Sequence, residues 1–302
     1  MIEEFYSNGK LLITGEYGVL DGALSLALPT KFGQSLTVEE NNLQHLNWKS
    51  LDENKAIWFE GDFDLKIAKQ INSTNKDTAE QLLKILTEAK QLNSNFLSTF
   101  SNYNIKTELD FPINWGLGTS STLINNIAQW ANVDPYTLLW NAFSGSGYDI
   151  ACAKYDTPIL YQLKNKKPVV TEVDFNPPFK DAIYFIYLNK KQNSREGIAT
   201  YRKADFDKEK FIAETTSLTK KIATCTNLQT FKDLITIHEN EISKVLKQLP
   251  IKESHFLDFD GAIKSLGAWG GDFIMAVGSK ETYNYFKTKG YSTILTYNEM
   301  IL

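Results

Sequence analysis

The first third of the chain alternates between short apolar runs and glycine or polar breaks. The segment KLLITGEYGVLDGALSLAL is divided at Gly15, Gly18 and Gly22, and glycine tolerates the positive φ angles of tight turns. Further along, HLNWKS and AIWFEG flank the polar LDENK, a pattern typical of a hairpin. We therefore expect this third of the chain to be rich in β-strands.

A helical pattern begins after these strands. Apolar residues recur at helical spacing over residues 77–92, and an Asp or Thr at the start is the expected cap. The alternating run YNIKTELDF predicts a strand over 103–111, ended by Pro112. An amphipathic helix follows from residue 119 or 120, and Pro135 marks the first turn of the next helix.

The second half of the chain has a different pattern of predicted strands and helices. Strands are expected near 158–162 and 168–173, and the Pro- and Lys-rich stretch 174–180 is the expected domain boundary. The apolar run AIYFIYL, residues 182–188, predicts a strand. Helical spacing then dominates over about 195–248.

The last part of the chain contains SHFLDFDGAIKSLGAWGGDFIMAVG, for which we predict a helix, a glycine turn and a strand. A further helix and strand close the sequence. The elements together predict an α+β fold of two lobes, with an N-terminal lobe over 1–176 and a C-terminal lobe over 177–302.

Composition narrows the class of protein. The 302 residues are 42% hydrophobic and 23% charged, with a formal net charge of -4, which argues against nucleic acid or an anionic membrane as the main partner. The distant Cys152 and Cys225 form no metal-ligand spacing. The opening MIEEFYSNGK lacks the apolar region of a signal peptide. We therefore expect a cytoplasmic location.

The stretch WGLGTSSTLINNIAQW, residues 115–130, is the first candidate for chemistry. A glycine loop before a helix directs free backbone N–H groups at one point, where the helix dipole favours an anion. The alternative is an ordinary turn with a Ser or Thr N-cap, which needs no ligand. The segment lacks the lysine of a Walker A motif, so the residues alone leave both interpretations open.

Three other positions carry the same ambiguity. Asp149 follows the four small residues SGSG and Tyr148, and its two interpretations are a general base and a partner of the helix dipole. The loop GAWGGD, residues 267–272, lies between the predicted helix and strand and by itself is a C-cap and turn. Lys10 is by default an exposed lysine.

Taken together, NGKLLITGEYGVLDG, PINWGLGTSST and GAWGGDFIMAVG resemble the three motifs of the GHMP small-molecule kinases. The motifs occur in the family's order and span Lys10 to Gly278. The resemblance implies the two-lobed GHMP kinase fold, with an N-terminal lobe like ribosomal protein S5 domain 2 and a ferredoxin-like C-terminal lobe. It also implies ATP and Mg²⁺ as cofactors.

The GEY and GSGYD stretches are most similar to the phosphomevalonate kinase branch, and mevalonate kinase is a near neighbour. The mevalonate-diphosphate decarboxylase branch is disfavoured, because its first motif lacks the lysine found at Lys10. We therefore expect an ATP-dependent kinase of a small anionic acceptor, phosphomevalonate or mevalonate. A sugar or amino-acid kinase and a catalytically silent metabolite-binding relative remain alternatives, and a homodimer is compatible with the resemblance.

The resemblance also implies residue roles. Lys10 and Asp149 are the catalytic pair, and Ser120 contacts magnesium. The residues implied to bind the ATP phosphates are Gly116, Leu117, Gly118, Thr119, Ser120 and Ser121, with Gly267, Gly270 and Gly271 forming the wall beside them. The residues implied to line the acceptor pocket are Glu16, Ser146, Gly147, Ser194 and Arg195, with Lys190 and Lys191 as further nearby cations.

Three features of the sequence depart from the family pattern. The middle motif has Thr119, Ser120 and Ser121 where relatives usually have Ser-Ser-Ala. Trp269 stands where glycine is common, and Leu138 stands where mevalonate kinases have a magnesium-binding Glu. The carboxylate partner of the metal is therefore not identified by the sequence.

Overall fold

The computed structural model describes residues 2–41, 45–64, 67, 69–97, 103–190 and 194–302. Contacts within the chain divide it into two compact units. The first unit comprises Met1–Gly9, Phe32–Ile113 and Leu117–Lys154, and the second comprises Lys10–Lys31, Asn114–Gly116 and Tyr155–Leu302. The predicted lobe boundary between residues 176 and 177 stays a prediction.

The first unit is built on one mixed sheet with helices. Its strands are β1 (Ile2–Leu12, whose end belongs to the second unit), β2 (Ser25–Glu40, from Phe32 onward), β3 (Leu46–Leu51), β4 (Ile57–Asp64), β5 (Lys69–Ser73) and β6 (Tyr103–Leu109). The sheet order is β5-β4-β3-β6-β2, antiparallel except for the parallel β3–β6 pair. The expected β-rich first third is confirmed.

Four helices accompany this sheet: α1 (Lys76–Leu92), α2 (Thr119–Ala131), α3 (Pro135–Ala142) and α4 (Tyr148–Lys154). The predicted cap of α1 is wrong, because the N-cap is Asn75, whose side chain accepts a hydrogen bond from the Thr78 N–H at 2.9 Å. Asn75 is extended and lies three positions before that donor, the geometry that N-capping needs. Asp77 lies inside the first turn, where its charge complements the helix dipole.

The second unit contains the remaining strands. The early part of β2 pairs with β7 (Ile159–Lys164), which pairs with β8 (Lys167–Glu172). A separate antiparallel sheet has the order β10-β11-β9-β12, formed by β9 (Ile183–Tyr187), β10 (Gly261–Ser265), β11 (Phe273–Gly278) and β12 (Ile294–Thr296). All five residues of β9 are buried, as expected for the apolar run at its position.

The predicted long helical stretch is three helices, namely α5 (Ser194–Lys203), α6 (Lys208–Ala223) and α7 (Leu228–Leu246). Asp207 and Asn227 cap the second and third, which separates them. The short helices α8 (Ile251–His255), α9 (Thr282–Thr288) and α10 (Tyr297–Met300) complete the unit. Within the described ranges, every helix is too short or too polar to cross a lipid bilayer.

One predicted element is wrong. The residues before the GAWGGD loop form strand β10 rather than a helix, so the loop joins two antiparallel strands. The helix of this region, α8, ends earlier at His255. The sequence pattern is misleading here because of Lys264. A lysine suggests a solvent-facing position, whereas Lys264 is fully buried in the strand.

Candidate functional site

Lys10 lies near the end of β1, in a small pocket of the second unit. Its Nζ donates to the carbonyl of Gly116 at 2.8 Å. The pocket has a volume of about 10 Å³ and is lined by Lys10, Leu11, Leu12, Trp115, Gly116, Leu266, Gly267, Asp272 and Phe273. We call it the Lys10 pocket. The lysine of the first motif thus contacts the first glycine of the middle motif. It also shares a pocket with Gly267 and Asp272 of the third motif.

Asp272 is a residue of this pocket that sequence reasoning missed. Its φ is +52°, a left-handed conformation uncommon outside glycine. Two backbone hydrogen bonds hold it, from its own N–H to the Lys190 carbonyl at 2.7 Å and from the Leu188 N–H to its carbonyl at 2.8 Å. The one available signal was its position, as the last residue of a glycine loop directly before a buried strand.

The Asp272 carboxylate explains why residue 116 is glycine. A Cβ added to Gly116 would come within 2.5 Å of Asp272 Oδ2, and the Gly116 φ of +69° also disfavours a side chain. The Trp115 ring packs edge-on against Phe273, with 5.4 Å between ring centroids. The first glycine of the middle motif therefore lies between a cation and a carboxylate.

In the first unit, α2 begins directly after the middle glycine loop. Its N-cap is Gly118, in the left-handed region at φ 100°, and as a glycine it has no side chain with which to cap the helix. The alternative of a Ser or Thr N-cap is therefore wrong. The N–H groups of the first turn are left for another acceptor, at the positive end of the dipole.

The hydroxyls of the middle motif fall into two groups. The Ser121 hydroxyl donates to the Gly118 carbonyl at 2.8 Å, and the Thr122 hydroxyl donates to Gln34 Oε1 at 2.8 Å. Both residues are buried, whereas Thr119 is half-buried and Ser120 is exposed. Ser121 and Thr122 thus serve the loop's own structure, and the metal contact of Ser120 stays a prediction.

Buried amides fix α2 in the first unit. Asn126 accepts from the Ser7 hydroxyl at 2.6 Å and donates to the Gln34 carbonyl at 2.8 Å. Asn125 donates to the Ser7 hydroxyl at 2.9 Å, and its Nδ2 is 3.3 Å from the Ala153 carbonyl of α4. We call Ser7, Gln34, Asn125 and Asn126 the amide network. It ties the helix that follows the glycine loop to β1, β2 and α4.

Asp149 lies in the first turn of α4, half-buried. The preceding loop contains Gly145 at φ 150° and Gly147 at φ 88°, with Ser146 buried between them. This position suits a base as well as a partner of the helix dipole, so the catalytic role of Asp149 stays a prediction. Leu138, at the position of the missing glutamate, is fully buried in α3.

The third glycine loop turns its tryptophan inward. Gly267 and Gly270 have φ of +64° and +87°. The Trp269 side chain is buried, its indole N–H donates to Glu239 Oε2 at 3.3 Å, and its backbone N–H donates to the Tyr17 hydroxyl at 3.3 Å. The departure from glycine at this position therefore gives the loop an anchor in the protein core.

The residues implied for the acceptor lie in both units. Glu16 is fully buried and hydrogen-bonded to Lys264. Ser194 begins α5, followed by Arg195, which is exposed. Lys190 is exposed, and Lys191 lies outside the described residues. Their contacts with an acceptor stay predictions.

Among the described residues, no group of three or more His, Cys, Asp and Glu side chains is arranged to hold a metal ion. His45 lies 3.2 Å from Asp62, His238 is buried, and His255 is exposed.

Comparison with known proteins gives a fold. No family model matches the sequence, and no curated protein matches it. Among solved structures, Methanococcus jannaschii mevalonate kinase superposes with a TM-score of 0.71 at 16% identity, covering 98% of this chain and 97% of the other. Streptococcus pneumoniae phosphomevalonate kinase, in complex with phosphomevalonate and AMPPNP, gives 0.71 at 12% identity, covering 97% and 99%.

This chain has the GHMP kinase fold. Lactococcus lactis galactokinase, solved with galactose, adds a third example with a TM-score of 0.70 at 14% identity, covering 98% of this chain and 92% of the other. The α+β fold predicted from the sequence is confirmed. Because proteins with this fold and different substrates are about equally similar to the chain, the substrate has to be argued from the site.

Proposed function

We propose that this chain is an ATP-dependent small-molecule kinase that transfers a phosphoryl group to phosphomevalonate or mevalonate. The observation that carries the proposal is the start of α2, where Gly118 caps the helix without a side chain. A helix N-terminus of this kind favours a phosphate through its N–H groups and its dipole. The nucleotide analogue in the phosphomevalonate kinase structure of the same fold supports ATP as the donor.

Lys10 supplies the charge that phosphoryl transfer requires. In this reaction the protein mainly positions the reactants and stabilises developing negative charge. Lys10 Nζ is already held by the Gly116 carbonyl at 2.8 Å. Its ammonium therefore needs little reorganisation as charge develops on the transferred group.

The middle motif also fits a magnesium ion. Mg²⁺ takes few protein oxygens in nucleotide sites and keeps water and phosphate oxygens as its other ligands. The exposed Ser120 hydroxyl lies in the first turn of α2, so Ser120 would hold the ion beside the phosphate-binding N–H groups. When bound, the ion neutralises negative charge on the phosphates.

The role of Asp149 depends on the acceptor. An alcohol such as that of mevalonate has a proton to lose, and Asp149 would accept it as general base. The phosphate of phosphomevalonate is ionised at neutral pH, so Asp149 would then orient it rather than remove a proton. Arg195 and Lys190 would bind the anionic groups of either acceptor.

The test is ADP release from ATP with mevalonate, 5-phosphomevalonate, homoserine and galactose offered separately. We expect turnover with one of the two mevalonate compounds. Turnover only with homoserine or galactose would replace the acceptor and keep the kinase, whereas binding without turnover of any compound would favour a silent metabolite-binding protein.

Asp149→Asn, compared with Asp77→Asn, separates catalysis from helix stabilisation. Asp77 is also a first-turn aspartate, in α1, so both variants lose a favourable dipole interaction. We expect Asp149→Asn to lower kcat by about 100-fold or more with an alcohol acceptor, and Asp77→Asn to leave it unchanged. Equal kcat in the two variants would remove Asp149 from the catalytic machinery.

A further inference from the structure

Four ionisable side chains meet in the interior of the second unit. Glu16 follows β1, His238 and Glu239 lie on α7, and Lys264 lies on β10. All four are at most 2% exposed, and we call them the ion cluster. Burying charged groups is often less favourable than packing apolar side chains of the same size. Stability alone therefore does not account for the cluster.

The ion cluster binds the turn that follows Lys10 in the chain. Lys264 Nζ donates to Glu16 Oε1, and the Gly15 N–H donates to His238 Nε2 at 3.0 Å. The His238 ring is neutral, because burial and, to a smaller extent, the charge of Lys264 hold its pKa well below the usual range. A neutral ring can accept the Gly15 hydrogen bond, so the turn has a fixed position.

The same cluster binds the chain that leads into the third glycine loop. The N–H and the hydroxyl of Ser265 donate to Glu239 Oε1 at 3.1 and 2.7 Å, and the Trp269 indole N–H donates to Oε2 at 3.3 Å. Lys264 Nζ lies 3.7 Å from Glu239 Oε2 and donates to the Ser265 carbonyl at 2.9 Å. Lys264 thus joins the two carboxylates.

We propose that Lys264, acting through Glu16 and Glu239, is a positioning residue for the Lys10 pocket. One wall of the pocket is Lys10–Leu12 and another includes Leu266 and Gly267. The ion cluster holds the chain shortly after the first wall and directly before the second, so it fixes the two walls relative to each other. The inference rests on the proposed kinase function, since a displaced wall slows transfer.

How firmly the ion cluster holds the two walls of the Lys10 pocket depends on whether Glu16 is protonated. Glu16 faces Lys264 from β10, His238 and Glu239 from α7, and its own neighbour Tyr17. Burial raises the pKa of Glu16 to about 7, against the opposing effect of Lys264. Above this pH the carboxylate is charged and accepts a stronger hydrogen bond from Lys264. The hold of the ion cluster on the two walls therefore changes with pH as Glu16 ionises.

Two variants and a matched control test the proposal. Lys264→Met removes the ammonium while keeping a similar length, and Glu16→Gln keeps an acceptor for Lys264 but cannot ionise. Glu241→Gln is the control, because Glu241 lies on the same helix and pairs with Lys244 at 2.6 Å near the surface. We expect Lys264→Met to lower kcat by about 100-fold with little change in the KM for ATP, the cost of a small misplacement of a catalytic group.

The pH profile gives a readout that a purely structural role would not move. The kcat of the wild-type chain should change through about pH 7, and this change should be absent in Glu16→Gln and retained in Glu241→Gln. A Glu16→Gln profile that overlays the wild-type profile would contradict the proposal, even where Lys264→Met fails to fold.

Hydrogen exchange tests whether the ion cluster holds the two loops, and it does not require enzymatic activity. Amide protection of Gly15 and Ser265 should fall at least about tenfold in Glu16→Gln, whereas β4 stays protected. Unchanged protection at both amides would overturn the proposal. If the wild-type chain uses none of the acceptors, the proposed function fails, and hydrogen exchange still decides whether the ion cluster holds the two loops.

Discussion

The two units each hold a glycine loop with a buried polar cluster, and the clusters differ in charge. The amide network of the first unit is neutral, and its members hydrogen-bond to one another and to backbone carbonyls. The ion cluster of the second unit contains two carboxylates and one ammonium. Within the described residues, Glu16 Oε2 and His238 Nδ1 have no hydrogen-bond partner.

Because of this difference, we expect the amide network to hold α2 at any pH near neutrality, and the ion cluster to respond to pH. Neutral amides do not titrate near neutral pH, so the network holds α2 equally well in acid and base. The ion cluster has a carboxyl group whose pKa burial raises to about 7. We therefore expect the Lys10 pocket, rather than the start of α2, to respond to pH.

The largest effect is expected from Lys264→Met. Removing one partner of a buried ion pair leaves an uncompensated charge, at a cost of about 3–5 kcal/mol in the free energy of unfolding. Urea unfolding at neutral pH measures it. The double variant Lys264→Met/Glu16→Gln should recover part of the loss, because it removes a carboxylate that has lost its partner. A loss below about 1 kcal/mol in the single variant would contradict the strength assigned to the cluster.

The pH dependence of stability should differ between wild type and Glu16→Gln. Burial raises the pKa of Glu16 from 4.5 to about 7 in the folded chain, so the folded state binds the proton more tightly than the unfolded state. The stability that protonated Glu16 contributes is fully present below its unfolded pKa of 4.5. It is lost as the pH rises through its folded pKa of about 7. The loss is on the order of 3 kcal/mol.

Urea unfolding across this pH range checks the difference. Glu16→Gln should lack this part of the pH dependence, while Glu241→Gln should keep it. If wild type and Glu16→Gln showed parallel curves, the cluster would not titrate as described.

A smaller effect is expected in the amide network. Asn126→Ala leaves the Ser7 hydroxyl and the Gln34 carbonyl without this partner, at a cost of about 1–3 kcal/mol. The exposed Asn141→Ala on α3 is the control. The destabilisation should be the same on either side of neutral pH, measured by urea unfolding. A strongly pH-dependent value would remove the contrast between the two clusters.

The smallest effect concerns Gly116→Ala compared with Gly290→Ala. Both glycines have positive φ, but a Cβ at Gly290 meets nothing within 4 Å, whereas at Gly116 it meets the Asp272 carboxylate. The two variants share the backbone strain, so we expect Gly116→Ala to be less stable by about a further 1 kcal/mol, the clash with Asp272. Equal thermal unfolding midpoints would show that Asp272 moves aside freely.

The sequence predicted features that depend on local pattern. The start of α2 at Thr119 follows from glycines and an amphipathic run, and β9 follows from a continuous apolar run. The three glycine motifs, taken together, predicted the fold that the solved structures confirm. These features are local in the chain, and pattern is sufficient for them.

Features that depend on distant partners could not be predicted. Lys264 is interpretable as a strand residue only when Glu16 and Glu239 are known to be its neighbours. Asn125 and Asn126 have no local signature of their partners in β1 and β2. Asp272 became a site residue only when its carboxylate was found against Gly116. In each case the deciding contact joins residues far apart in the sequence.

The proposed kinase function requires that Lys10 and the middle glycine loop carry out phosphoryl transfer. It is tested most directly by ADP release from ATP with 5-phosphomevalonate or mevalonate, for wild type, Lys10→Met and the control Lys31→Met. Lys31 is matched, because its ammonium also donates to a backbone carbonyl, that of Asn298, at 2.6 Å. We predict turnover in wild type and Lys31→Met and a loss of about 100- to 1,000-fold in kcat in Lys10→Met. Equal turnover in all three proteins, or no turnover in wild type, would contradict the claim.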